Sequence, residues 1–149
     1  MAVKTQSATI HMLPSAVSRG VALQQIANAI TRIDELWLIS ELQLGASPPA
    51  SCRALRSPYG RPLRWVQHHG PAAAATREYY AAPVLFGLRS GTCVDLACYD
   101  AAAMRVLEGR SVFPLVHEIG AGKFHVLLIE NRDGQQRVWD HIASTYGRV

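Results

Sequence analysis

Three features are scarce in this sequence of 149 residues, and each scarcity excludes a class of protein. Its three cysteines, Cys52, Cys93 and Cys98, are too few and too odd in number for a disulfide scaffold, and they indicate free thiols in a reducing compartment. No apolar run approaches the ~20 residues of a membrane-spanning helix. Residues 1–10 carry one lysine and no apolar core of a secretory signal. The sequence therefore predicts a cytoplasmic protein without membrane contact.

Charge is also sparse, since charged residues make up 17% of the chain, hydrophobic residues 49%, and the net charge is +4. Such a composition excludes most disordered classes. A domain of this length buries roughly 68–70% of its unfolded surface. We therefore expect a single domain over residues 1–149, with a core that needs no covalent staples.

Four arginines are concentrated in one stretch: Arg53, Arg56, Arg61 and Arg64. Such a cluster is able to bind phosphates or carboxylates, whereas the simpler interpretation is a solvated loop. Eleven acidic residues dilute the positive charge and no recognition motif accompanies the cluster, so nucleic-acid binding is not expected. If the cluster is a docking surface, its arginines should affect partner binding more than folding.

Hydrophobic periodicity predicts an N-terminal helical segment over residues 1–45. The helix starts near residues 14–15 and stops at Gly45, and its apolar stripe comprises Ile26, Ile30, Ile33 and Trp37. The following segment, 46–71, is rich in proline and arginine and is expected to be irregular, with a short strand at 63–67.

The C-terminal part, 78–149, predicts one helix followed by strands. Thr92 and Asp95 have the spacing of a capping box, and Gly109 marks the end of the helix. Three strand-like runs follow, at 112–119, 124–130 and 135–143, with turns between them. Helices that precede a β-meander favour the α+β class over a doubly wound sheet.

Cys93 is the candidate nucleophile because it lies in the first turn of the capped helix. Unpaired backbone N–H groups and the positive end of the helix dipole stabilise a thiolate there, so we expect its pKa below the ordinary value. Its own N–H is a candidate oxyanion donor. Cys98 is expected inside the core, and Cys52 has no comparable support.

Counting along the hairpins suggests a base and its partner. If 131–134 is a four-residue loop, His125 lies opposite Asp140, at a distance that lets a carboxylate orient an imidazole. If 120–123 is a similar loop, Glu118 lies opposite His125 and is the competing acid. Asp95 is expected to be occupied at the helix start and not to reach His125.

Three stretches together resemble the transglutaminase-like superfamily: Gly91-Thr92-Cys93-Val94-Asp95-Leu96-Ala97, Phe124-His125-Val126 and Trp139-Asp140. More narrowly, the sequence resembles small bacterial and phage-encoded transglutaminase-like cysteine peptidases, over residues 78–144. The resemblance implies a papain-like α+β fold in which the nucleophile helix packs on an antiparallel sheet. It also implies Cys93 as nucleophile, His125 as base and Asp140 as the acid that orients it. The family often has proline after the acid, where this chain has His141.

The second oxyanion donor is less defined. Related enzymes place a glutamine or an aromatic residue upstream of the nucleophile, which leaves Gln67, Trp65 and Tyr80 as candidates. Gln67 is preferred because an amide N–H is able to donate to a developing oxyanion.

No cofactor or metal is expected. Cys93, Cys98, His117 and His125 are zinc-ligand types at unsuitable spacing. His68 and His69 are adjacent, so their side chains diverge in an extended segment, and no phosphate-binding loop is present.

Two functions follow as hypotheses. The first is a cysteine-dependent acyl-transfer enzyme, a peptide or amide hydrolase whose steps are shared by transamidation and deamidation, with a protein or peptide as substrate. The alternative is a structural or interaction component of a phage-like particle with a vestigial triad, in a bacterial cytoplasm or a virion.

Overall fold

The computed structural model describes residues 19–54, 63–70, 77–120 and 122–147. Their elements run in this order: α1 (Arg19–Gln43), a 3₁₀ turn (Cys52–Ala54), β1 (Arg64–Trp65), α2 (Val84–Leu88), β2 (Ser90–Gly91), α3 (Cys93–Glu108), β3 (Val112–Gly120), β4 (Lys123–Arg132), β5 (Gln135–Trp139) and α4 (His141–Tyr146). Helices α1 and α3 pack on each other, and both contact the sheet. The α+β class is therefore confirmed.

Helix α1 buries a face that differs in part from the predicted stripe. Ile30 is buried, but Ile33 is half exposed, and buried Asp34 and Leu38 lie on the side that faces the core. The Asp34 carboxylate accepts a hydrogen bond from the backbone N–H of Ala82 at 2.8 Å, which ties the helix to the segment before α2. Burial raises the pKa of Asp34 well above its ordinary value. The buried face of α1 therefore includes a polar contact that hydrophobic periodicity does not predict.

Only the C-terminal end of α1 can be compared with the prediction. The helix ends just before Gly45, which adopts a positive φ of 78° as expected of a terminating glycine. The predicted start, at 14–15, lies outside the described residues.

Helix α3 has the predicted bounds and caps. Thr92 accepts from the backbone N–H of Asp95, Asp95 accepts from the backbone N–H of Thr92, and Gly109 terminates the helix at a φ of 64°. Most of its side chains are buried, and many are alanine, which lets α1 and the sheet approach closely. A Cβ at Gly91, just before the cap, would come within 2.7 Å of a side-chain methyl of Leu96, so any larger residue there would force the buried Leu96 to shift.

The three C-terminal strands form the predicted antiparallel meander, in the order β3-β4-β5. The second hairpin is tighter than predicted, because Arg132 pairs with Gln135 around a two-residue turn. Asp133 and Gly134 both have positive φ, 51° and 76°, as a type I′ turn requires. β5 also ends at Trp139, and the predicted strand residues 141–143 belong to α4 instead.

A two-stranded parallel sheet joins the irregular segment to the start of α3. β1 lies within the predicted strand at 63–67, and it pairs with β2 through Arg64–Ser90 and Trp65–Gly91. Among the described residues, no helix combines the length and the apolar character needed to traverse a bilayer.

Candidate active site

The Cys93 thiol lies at the start of α3, against strand β4. The backbone N–H groups of Val126, Val94 and Cys93 itself favour the thiolate of Cys93, and Val126 is the residue that follows His125. Burial nevertheless raises the pKa of Cys93, and nearby Asp95 adds to the rise, while the three N–H donors act in the opposite direction. The expected low pKa is therefore wrong, because desolvation of the thiolate outweighs the helix-start donors.

His125 and Asp140 are in contact, as expected, but by a different route. His125 Nε2–H donates to Asp140 Oδ1 at 2.9 Å. The predicted cross-strand pairing is wrong, since the last β4–β5 pair is Leu128 with Trp139 and the chain then leaves the sheet. Asp140 instead caps α4 and accepts from the backbone N–H of Ala143 at 2.9 Å. The end of β5 thus brings the acid toward His125 near the beginning of β4.

Glu118 does not compete for His125. The β3–β4 register pairs His117 with His125 and Glu118 with Phe124, one residue from the expected pairing. Side chains alternate along a strand, so Glu118 lies on the opposite face of the sheet from His125. Its carboxylate accepts from the backbone N–H of Gly122 at 3.3 Å.

Asp95 is occupied at the helix start, as expected, and it does more than cap. Its fully buried carboxylate accepts from the backbone N–H groups of Thr92 at 2.9 Å and Tyr80 at 2.8 Å. It also accepts from His69 Nε2–H at 2.6 Å. Three segments therefore meet on one carboxylate beside the nucleophile. The contact of His69 with Asp95 was not predicted from the sequence, because His68 and His69 were considered there only as metal ligands.

Gln67 follows β1 by two residues. β1 pairs with β2, which lies just before Cys93 at the start of α3. The Gln67 side chain is exposed.

The other two candidate oxyanion donors are Trp65, whose indole N–H is buried, and Tyr80, whose hydroxyl already has a hydrogen-bond partner. The indole N–H of Trp65 is buried and has no acceptor among the described residues. The hydroxyl of Tyr80 donates to the carboxylate of Glu78, which gives it a partner already.

His141 does not lie in a strand, although the predicted strand-like run 135–143 includes it. It is the first residue of α4, it is buried, and its Nε2–H donates to Asp100 at 2.6 Å. Tyr146 O–H donates to the same carboxylate at 2.6 Å. The sequence offered no signal for this cluster, because its members belong to elements distant along the chain.

The arginine stretch is described only in part, since Arg56 and Arg61 lie outside the described residues. The Arg53 guanidinium donates to the backbone carbonyl of Thr145 in α4, and Arg64 is exposed. Both described arginines are exposed, and the docking surface stays a prediction.

Cys98 is fully buried, as predicted, and its thiol donates to the carbonyl of Ala27 at 3.3 Å. Cys52 is fully buried too. Burial, with nearby carboxylates, raises the pKa of both thiols well above the ordinary value.

Because the pKa values of these two thiols are raised in the folded protein, we expect its free energy of unfolding to decrease at alkaline pH. In the unfolded chain they ionise near pH ~8.5, whereas the folded protein keeps them protonated, so the folded state binds more protons above that pH. The free energy of unfolding should then fall as pH rises, by about 1.4 kcal/mol per pH unit for each thiol. Urea denaturation between pH 8 and pH 10, in reductant, measures this slope. Cys98→Ala should lower the slope by one thiol's share, and an unchanged slope would contradict the assignment.

Within the described parts of the chain, no three His, Cys, Asp or Glu side chains are grouped so that they could hold a metal ion. Comparisons of the chain with protein-family models, with curated proteins and with solved structures find no match.

Proposed function

We propose that the protein is a cysteine-dependent acyl-transfer enzyme with a protein or peptide as acyl donor, and that Cys93, His125 and Asp140 carry the reaction. The observation behind this proposal is the meeting of two arrangements at one edge of β4. Helix α3, which begins at Cys93, packs on β4, and the backbone N–H of Val126 acts to lower the pKa of Cys93. The residue before Val126, His125, is held by Asp140. The resemblance to transglutaminase-like cysteine peptidases adds support, and a papain-like arrangement is part of the same proposal.

The hydrogen bond from His125 Nε2–H to Asp140 leaves Nδ1 as the basic nitrogen. In the proposed reaction Nδ1 takes the proton of Cys93 as the sulfur attacks an amide carbonyl, forming a C–S bond and an oxyanion. The C–N bond then breaks, and the imidazolium returns the proton to the leaving amine or ammonia. Water or a second amine attacks the thioester and regenerates the thiol. Because burial raises the pKa of Cys93, the thiol needs this base at neutral pH.

The oxyanion is assigned to two donors, the backbone N–H of Cys93 and the side-chain amide of Gln67. The first belongs to the start of α3, where backbone N–H groups lack helical acceptors. The second is exposed and follows β1, the strand that pairs with the segment just before Cys93. Trp65 remains the alternative donor, because its buried indole N–H has no acceptor among the described residues.

Gln67→Ala is expected to slow acylation of Cys93 by roughly 10²–10³-fold, the usual cost of losing an oxyanion donor. Because the side chain is exposed, its removal should leave the melting temperature nearly unchanged. Trp65→Phe is the matched comparison, since it removes an N–H and keeps a ring. If Trp65→Phe loses the activity and Gln67→Ala retains it, the donor is Trp65.

Mass spectrometry of the intact protein tests the proposed function. The wild-type protein, mixed with a p-nitrophenyl ester, should gain one acyl group on Cys93, and glutamine-containing peptides should lose ammonia, be cleaved or gain an amine. Selective alkylation alone is not decisive, because Cys52 and Cys98 are protected by burial. No acyl-enzyme and no product would favour the structural component of a phage-like particle.

A further inference from the structure

We propose that Asp100, His141 and Tyr146 act as positioning residues, which hold helix α4 and thereby fix Asp140 against His125. The inference rests on the proposed function, since it gives a catalytic consequence to a buried cluster that takes no part in the chemistry itself.

Helix α4 depends on contacts outside itself. It has six residues, and a helix this short is not stable alone in water. The fully buried carboxylate of Asp100 accepts from His141 Nε2–H and from Tyr146 O–H, each at 2.6 Å. His141 is the first residue of α4 and Tyr146 the last. One carboxylate therefore holds both ends of the helix.

The cluster is completed from the 3₁₀ turn. The backbone N–H of Cys52 donates to the other oxygen of Asp100 at 2.9 Å. Burial and the neighbouring carboxylate of Asp100 raise the pKa of Tyr146. Thr145 contacts Nδ1 of His141 at 3.3 Å, so both ring nitrogens of this histidine have partners. A histidine held at both nitrogens has one orientation, and the helix that carries it is held with it.

The cluster connects Asp140 to the helix that carries the nucleophile. Cys93 and Asp100 lie on the same helix, seven residues and so ~10.5 Å apart along its axis. Asp100 holds His141, the residue after Asp140, and Asp140 holds His125. Helix α3 therefore sets both the position of the thiol and, through the buried cluster, the position of the acid that orients the base.

The first test measures His125 directly and needs no activity. Its ring ¹⁵N shifts report the fraction of the Nε2–H tautomer, which should dominate in the wild-type protein because Asp140 accepts that proton. His141→Ala should produce a mixture of tautomers, as Asp140→Asn should. His141→Gln should restore the wild-type spectrum, because its amide N–H reaches the place of the lost Nε2–H. Ser144→Ala is the control on the same helix, because it removes a hydroxyl that donates to the His141 carbonyl at 3.2 Å and leaves the contacts with Asp100 intact.

The second test measures the rate at which a p-nitrophenyl ester acylates Cys93. His141→Ala should slow this rate by about 10-fold to 100-fold, as a small misplacement of a catalytic group does. In an Asp140→Asn background the same change should cause no further loss, because the effect passes through Asp140. If His141→Ala fails to fold, Tyr146→Phe provides a milder loss of one hydrogen bond, with the same expected direction.

An unchanged His125 tautomer in folded His141→Ala and Tyr146→Phe would overturn the positioning role. Equal slowing with and without Asp140 would do so as well. A third outcome separates the two proposals. If the His125 tautomer changes in His141→Ala but His125→Ala does not slow acylation, the positioning role stands and the proposed function is refuted.

Discussion

His125→Ala is expected to slow the acylation of Cys93 by roughly 10²–10⁴-fold near neutral pH, the usual contribution of a general base. The thiol is largely protonated there, because burial raises its pKa, and the backbone donors around the sulfur do not replace a proton acceptor. The rate of acylation by a p-nitrophenyl ester, measured between pH 6 and pH 10, shows the effect. The variant should approach the wild-type rate only at alkaline pH, where the thiol ionises without assistance.

His117→Ala provides the matched control for this experiment. His117 pairs with His125 across β3 and β4, and it is exposed, so its removal deletes a histidine on the same face of the sheet. Its acylation rate should stay within a few-fold of the wild-type rate. Equal rates for the two variants would show that His125 is not the base of Cys93.

Asp95→Ala is expected to lower the free energy of unfolding by about 3–5 kcal/mol, as the loss of one partner from a buried polar cluster does. The change leaves the backbone N–H groups of Thr92 and Tyr80, and Nε2–H of His69, without their acceptor. Thr92→Ala removes only the other half of the capping box and should cost about 0.5–2 kcal/mol. Urea denaturation of the two variants measures the difference.

If Asp95→Ala costs no more than Thr92→Ala, the contacts to Tyr80 and His69 contribute little and Asp95 is a capping residue only. The capping-box spacing alone predicts that smaller cost. The larger value depends on two segments that no local pattern connects to the helix start.

The candidate site was predictable in its residue types and only partly in its geometry. The contact between His125 and Asp140 is present, although the strand count that suggested it assumed the wrong turn. A two-residue shift in register moves every facing pair, so a count that depends on loop length is fragile. The resemblance in residue pattern pointed to Asp140 independently of that count. His69 and His141 had no such pattern, and their carboxylate partners are 26 and 41 residues away along the chain.

The sequence by itself determines those structural features in which residues close in sequence are also close in space. Short-range periodicity and turn residues predict the caps and bounds of α3 and the antiparallel meander that follows it. Burial and long-range pairing are not local quantities. The raised pKa of Cys93, the buried contact of Asp34 with Ala82, and the attachment of α4 to Asp100 all depend on which distant segments exclude water or supply a donor. Those features arise from packing, because desolvation and hydrogen bonding act between atoms that folding alone brings together.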